Sequence, residues 1–304
     1  MLAIVYIVTM TPSAEVQLRS ATGWQDHDWS PFIRDAEVVG KRMRYVDMGT
    51  GDPLVLVHGV GGAWQTWLLN LQGLAARHRV IAIDVPGFGQ SDPLPAAPDM
   101  SAYVASIAGL LDQLGLHRVT ILGHSLGGVA AMRFALEHPE RTASLVLVDG
   151  GGIKMAAARL RMVVGSLIVI HAVMSREAVV RALVRRPRLR RAAMSGMVPD
   201  PAIATAALTH ELVSIFASTG LVNALKSGSR DDIGDYAERI TTPTLLIWGD
   251  RDQVVPLAVA QRLAARLPQA RLVTFAGVGH CPMLEQADRF NDLVADWVDE
   301  LPGA

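Results

Sequence analysis

Val119-Thr120-Ile121-Leu122-Gly123-His124-Ser125-Leu126-Gly127-Gly128-Val129-Ala130-Ala131-Met132-Arg133-Phe134 passes from a short apolar run, through a glycine-flanked serine, into a helix-period pattern. The run reads as a buried strand, and Val129, Met132 and Phe134 mark the inner face of the helix that follows. Between them Gly123-His124-Ser125-Leu126-Gly127 matches G-x-S-x-G in its required strand-turn-helix setting. Such a turn holds the serine in an unfavourable backbone conformation, so the residues two positions either side must be very small. It lifts the hydroxyl off the sheet and sets the next N–H at a helix N-terminus, where negative charge is stabilised. Ser125 is therefore a candidate nucleophile.

Outward from this turn the pattern repeats. Arg42–Asp47, Leu54–Val57, Val80–Asp84, Leu145–Val148, Thr244–Trp248 and Arg271–Phe275 read as further strands, with helices over 101–114, 126–138, 257–267 and 286–300. The expected fold is α/β: a mostly parallel twisted sheet of about eight strands flanked by helices. Residues 151–232 break the rhythm with helical, Ala-, Arg- and Met-rich sequence and no convincing strand. They read as a cap inserted into a core of residues 36–150 and 233–304, and residues 1–35 read as an N-terminal tail. The apolar stretch Leu2–Val8 lacks a preceding Lys or Arg. It is also far below the roughly 20 residues that span a bilayer, so a cytoplasmic location is expected.

Composition narrows the function. The chain of 304 residues is 50% hydrophobic with 19% charged residues, which argues against disorder. Its one cysteine, Cys281, excludes an internal disulfide framework and a multi-cysteine metal site. A net charge of −1 gives no nucleic-acid footprint for the whole chain. There is no H-E-x-x-H, no G-x-x-x-x-G-K-[ST] and no G-x-G-x-x-G, so no metal and no cofactor is expected.

A serine hydroxyl needs a base, and the base an orienting acid, in the chain order serine, acid, histidine. Four histidines lie downstream: His138 at a helix end, His171 and His210 in the insertion, and His280. His280 follows a strand through the short loop Gly277-Val278-Gly279, at the sheet edge that carries Ser125, and is the candidate base. The acid is Asp252 or Asp250 in Trp248-Gly249-Asp250-Arg251-Asp252, with Asp149 a third candidate. Asp252 is favoured because it lies deeper in the loop, and Asp250 suits pinning the turn. For the oxyanion, Leu126 supplies one backbone N–H, and the loop His58-Gly59-Val60-Gly61-Gly62 supplies the other, from Val60 first and Gly61 second. Gly59, Gly61 and Trp64 are expected to meet the substrate, and the His58 side chain to buttress the loop.

These residues resemble the α/β-hydrolase superfamily over roughly residues 36–300. The resemblance rests on His58-Gly59, Asp84-Val85-Pro86-Gly87-Phe88-Gly89-Gln90-Ser91, Gly123 to Gly128, Gly249 through Asp252 to Pro256, and Gly279-His280. It implies a Ser125–His280–Asp252 triad. The D-x-P-G-F-G-x-S segment also resembles epoxide hydrolases and haloalkane dehalogenases, which use an aspartate nucleophile where this chain has Ser125. Serine relatives that cleave carbon–carbon bonds of ring-fission diketone acids carry tryptophan after the histidine, where Cys281-Pro282 stand here. The expected activity is therefore hydrolysis of a carboxylic ester with an apolar acyl group, through an acyl-enzyme. Carbon–carbon hydrolysis is the alternative, and a non-catalytic ligand-binding member of the fold is the competing class.

The near-neutral charge conceals an asymmetry. Residues 151–230 hold twelve basic and three acidic side chains, a formal +9, and the remaining sixteen basic and twenty-six acidic residues leave −10. Arg185-Arg186-Pro187-Arg188-Leu189-Arg190-Arg191 concentrates five of the arginines. Partial pairing with the acidic core is one expectation. Peripheral contact with an anionic membrane surface is the other.

Overall fold

Unbroken apolar runs need cover on both faces, and here they obtain it at the centre of a sheet. The computed structural model describes residues 8–10, 23–95, 98–150, 152, 157–215, 218, 220–231 and 233–301. In chain order the core holds β1 (Val8–Met10), β2 (Ile33–Val38), β3 (Lys41–Met48), β4 (Pro53–Val57), α1 (Leu71–Ala75) and β5 (Arg79–Ile83). It continues with α2 (Met100–Gln113), β6 (Val119–His124), α3 (Leu126–Glu137) and β7 (Thr142–Val148). Five helices follow: α4 (Ala157–Met174), α5 (Glu177–Arg185), α6 (Pro187–Met194), α7 (Ala206–Ser214) and α8 (Leu221–Arg230). The core then resumes with β8 (Thr244–Gly249), α9 (Leu257–Ala264), β9 (Ala270–Phe275), α10 (Pro282–Glu285) and α11 (Ala287–Asp299).

The sheet order is β1-β9-β8-β7-β6-β4-β5-β3-β2. β2 and β3 are antiparallel to each other, β3 is antiparallel to β5, and every other pair is parallel. Eight strands run from Ile33 onward, and β1 is a ninth at the outer edge. Alternate residues of each central strand enter two apolar clusters. Val55, Ile121, Leu145 and Leu246 pack with α2 and α3, while Leu54, Leu122, Val146 and Leu245 pack with α1 and α11. The order reverses beside β4 and β6, and the loops at such a crevice are where an open α/β sheet binds ligands.

Two sequence expectations need correction. Residues 1–35 are not simply a tail, although residues 1–7, with most of the apolar stretch Leu2–Val8, and residues 11–22 lie outside the described residues. Val8–Met10 adds a parallel strand to β9, and Trp24 is buried in the second apolar cluster. β2 starts before the expected boundary because it pairs with β3 in a hairpin turned by Val39 (φ 51°) and Gly40 (φ 68°). In the inserted stretch every described element is helical, while Gly151, Ile153 to Ala156, Phe216, Ala217, Thr219 and Asp232 lie outside the described residues.

Candidate active site

Neighbouring strands deliver the chemistry-bearing residues to one edge. Ser125 directly follows β6, Asp149 follows β7, Asp252 follows β8 and His280 follows β9. The sheet's ladder extends past the strand ends to hold them. Ser125 N–H donates to Val148 O (3.0 Å), Asp149 N–H to Ile247 O (3.0 Å) and Asp250 N–H to Phe275 O (3.1 Å).

Ser125 has φ 53° and ψ −118°, in the left-handed half of backbone space that non-glycine residues avoid. The small-residue requirement holds on both sides. A Cβ on Gly123 would collide with Gly127 O, and one on Gly127 with Val57 O and His58 O. A Cβ on Gly59 would sit 3.0 Å from Ser125 Cβ, so the loop after β4 lies directly against the serine. The Leu126 N–H heads α3, and neither it nor the Val60 N–H is engaged by an acceptor among the described residues. A developing oxyanion requires free donors of this kind.

The imidazole and the acid are in contact: His280 Nδ1 lies 2.7 Å from Asp252 Oδ2, with both side chains buried. Asp252 Oδ1 accepts N–H bonds from Val254 (2.7 Å) and Val255 (2.9 Å), and Trp248 Nε1 donates to Val255 O (2.8 Å) to pin the loop. Burial raises the Asp252 pKa, but the opposing charge and hydrogen bond of His280 prevail and hold it below the usual carboxylate range. Asp250 plays the turn-pinning part, accepting the Gly277 N–H at 2.7 Å. The Ser125 hydroxyl makes no hydrogen bond to His280 in this structure. In unliganded enzymes such bonds are commonly long and tighten when substrate binds.

Two residues shape this site beyond the sequence reading. His124, the variable residue of the G-x-S-x-G turn, is buried with its Nε2 2.8 Å from His280 O and its ring 4.8 Å from the His280 ring. Burial and the neighbouring His280 lower its pKa to about 3, so it is neutral and its Nε2–H donates to that carbonyl. The serine turn is thereby tied to the backbone of the imidazole. Asp149 is fully buried at φ 43°, and its Oδ1 accepts the Gly249 N–H at 3.0 Å. Asp149, Asp252 and His280 present ligand-type atoms all within 4.8 Å of one another. Burial, and then the Asp252 charge, push the Asp149 carboxyl well up, so it keeps its proton beside an ionised Asp252. With Asp252 already accepting two N–H bonds and the imidazole, these atoms form a proton-holding pair rather than an open cation cradle.

His58 does buttress. Its Nδ1 lies 2.7 Å from Gly59 O and its Nε2 accepts the Val85 N–H at 3.0 Å, which ties the glycine loop to the end of β5. Burial lowers its pKa to about 4. The unfolded chain, with the ordinary histidine value, takes up this proton first as pH falls, so the His58 contribution is full above about pH 6.5 and is lost towards pH 4. The stability advantage of the wild type over His58→Asn, followed by urea melts, should therefore shrink by roughly 3 kcal/mol between pH 7.5 and pH 4. A pH-independent difference would contradict a neutral His58.

A narrow apolar cleft, with free space of only about 20 Å³, opens beside the serine turn, walled by Val85, Phe88, Met100, Tyr103, Leu126 and Ala224, with Gly59 and Val60 at its edge. Of the residues expected to meet substrate, Gly59 is in the wall and Gly61 and Trp64 are not. The Trp64 backbone N–H donates to Asp84 Oδ1 (2.8 Å), and its ring packs on Trp29 with the centroids 5.7 Å apart. Cys281 is a buried free thiol whose pKa is pushed well up by burial and nearby carboxylates, so it is not a thiolate.

The sequence profile of the alpha/beta hydrolase fold matches residues 52–287. A 2-hydroxy-6-oxononadienedioate/2-hydroxy-6-oxononatrienedioate hydrolase of Pseudomonas sp is 32% identical over 281 residues, covering 88% of this chain and 94% of the relative. A second enzyme of that description from Pseudomonas putida is 33% identical with the same coverage. Among solved structures, a meta-cleavage product hydrolase from Pseudomonas fluorescens IP01 superposes with a TM-score of 0.71 at 27% identity, covering 88% of this chain and 97% of that one. A membrane phospholipase A superposes with a TM-score of 0.70 at 26% identity, covering 90% of this chain and 87% of that one.

Proposed function

This chain belongs to the alpha/beta hydrolase fold family, and from that premise we propose that it hydrolyses the carbon–carbon bond of a vinylogous diketone acid through Ser125, His280 and Asp252. The observation that carries the choice of bond is the match, over 88% of this chain, to two relatives described as hydrolases of 2-hydroxy-6-oxo dienedioates and trienedioates. The expectation of ester cleavage moves to second place. It keeps specific support from the apolar pocket, whose walls hold no Lys or Arg, and from the likeness to a phospholipase A.

In this reading His280, held by Asp252, takes the proton as Ser125 Oγ bonds to the ketone carbon. The N–H groups of Leu126 and Val60 receive the oxyanion. As the tetrahedral centre collapses, the carbon–carbon bond breaks and its electron pair passes into the conjugated acid fragment. His280 returns the proton to the dienolate oxygen of that fragment, which leaves as a 2-hydroxy dienoate. Water, deprotonated by His280, then attacks the acyl ester, releasing a carboxylic acid and restoring Ser125. The sum consumes one water and needs no oxidant. The apolar pocket would hold the chain on one side of the ketone.

Steady-state kinetics decides between the two bonds. A 2-hydroxy-6-oxo-2,4-dienoate, followed by loss of its dienol absorbance, should exceed the best of a p-nitrophenyl ester series by about tenfold or more in kcat/KM. The reverse order would make the protein an esterase.

A further inference from the structure

α4 is apolar on the side it turns to water. Val164 and Leu167 pack inward against the core. Outward, Met162 is 67% and Val169 63% exposed, and Ile168, Ile170 and Val173 are exposed beside them. A helix that covers a soluble core keeps polar residues on its outer face, and one that is hydrophobic all round belongs in a protein interior or in lipid. Scattered single apolar side chains need no explanation, but a contiguous helical face does.

The charge pattern beside it is equally one-sided. α4 packs on α5, and α5 on α6. Arg176, Arg181, Arg185, Arg186, Arg188 and Arg191 are exposed there. Arg181 pairs with Glu177 at 3.6 Å, and the other five have no carboxylate partner among the described residues. The expected pairing of these arginines with the acidic core is thus not what the fold provides. Arg190 alone turns inward, onto Val184 O and Ala204 O, and leaves Leu189 exposed among its charged neighbours.

We infer that α4 and the arginines of α5 and α6 form a docking surface for a bilayer rich in anionic phospholipid, with α4 lying in the headgroup layer. An exposed apolar helix together with unpaired arginines is the chemistry of interfacial binding. Crossing is not required: no single described helix is long and apolar enough, and α4 and α5 pass such a test only as a pair bent by 92°. A second copy of the chain is the weaker occupant, because a two-fold contact would set arginines against arginines. A neutral apolar partner would leave the arginines without a role.

The test is co-sedimentation of the full chain with phosphatidylcholine vesicles and with phosphatidylcholine–phosphatidylglycerol vesicles. Binding should require phosphatidylglycerol and weaken steeply with added salt. Met162→Asp with Val169→Asp should abolish it. Changing Arg185, Arg186, Arg188 and Arg191 to Gln should weaken it by about 10²- to 10³-fold, at roughly fivefold per arginine near an anionic leaflet. All six side chains are exposed, so circular-dichroism melts should stay near wild type. If a variant melts early, the salt titration of the wild type still decides. Equal binding to both vesicles, no binding, or binding indifferent to salt would overturn the proposal. So would binding to polyglutamate without binding to vesicles, which would assign the surface to an acidic polypeptide. Self-association lost in Met162→Asp, without vesicle binding, would assign it to a second copy.

Discussion

Changing Ser125 to alanine should lower kcat by about a millionfold, the scale seen when the nucleophile of a serine–histidine–acid unit is lost. It should also abolish labelling by a fluorophosphonate, while KM and the melting temperature stay close to wild type. The reasoning rests on how the turn is built. Gly123, the penultimate residue of β6, and Gly127, in the first turn of α3, have no room for a Cβ, so the serine has one placement. At φ 53° any L side chain there is strained. Ser125→Gly should therefore be as inactive as Ser125→Ala but more stable by about 1 kcal/mol, because glycine adopts this conformation freely. Residual activity within about a hundredfold of wild type in either variant would remove Ser125 from the mechanism.

Asp252→Asn should cost about 10⁴-fold in kcat. An amide in place of the carboxylate favours the wrong imidazole tautomer and no longer stabilises the imidazolium. Asp149 makes a contrasting pair with it. Because this carboxyl already holds a proton, Asp149→Asn is neutral like it and keeps an acceptor for the Gly249 N–H, and should stay within about tenfold of wild type. Asp149→Ala orphans that buried N–H and should destabilise the fold by about 1–3 kcal/mol. It also removes a buried carboxyl from beside Asp252, so the acid limb of the kcat profile should move. If Asp149→Asn were as inactive as Asp252→Asn, Asp149 would be the charged member of the pair, and the protonation assigned here would be inverted.

Much of this was legible before any coordinates. The central strands announced themselves because both faces are buried, leaving continuous apolar runs that end in glycine. The separation of Asp250 from Asp252 followed from loop depth, and the two carboxylates do take different partners. The antiparallel hairpin of β2 and β3 was missed for a physical reason. Its turn uses Val39, a β-branched residue at positive φ, where a turn signal would be asparagine or aspartate. Trp64 stands outside the pocket wall although it is close in sequence to Gly59, because adjacency in sequence says nothing about where a ring packs, and this one packs on Trp29. In the sequence Asp149 is only a carboxylate at a strand end. Its neutrality depends on a neighbour about a hundred residues away, which only the register of β7 on β8 brings close.

The inserted helices are not an independent flap. The His280 N–H donates to Met197 O at 2.7 Å, just after α6, and Gly220 N–H donates to Gly87 O at 2.9 Å, just before α8. A displacement large enough to part α6 from the core must break the first of these bonds, and that frees the main chain of the imidazole-bearing loop in the same event. Any force applied to the helical insertion, by a surface or by a substrate, is then passed to the main chain of the loop that carries His280 rather than absorbed by the insertion alone.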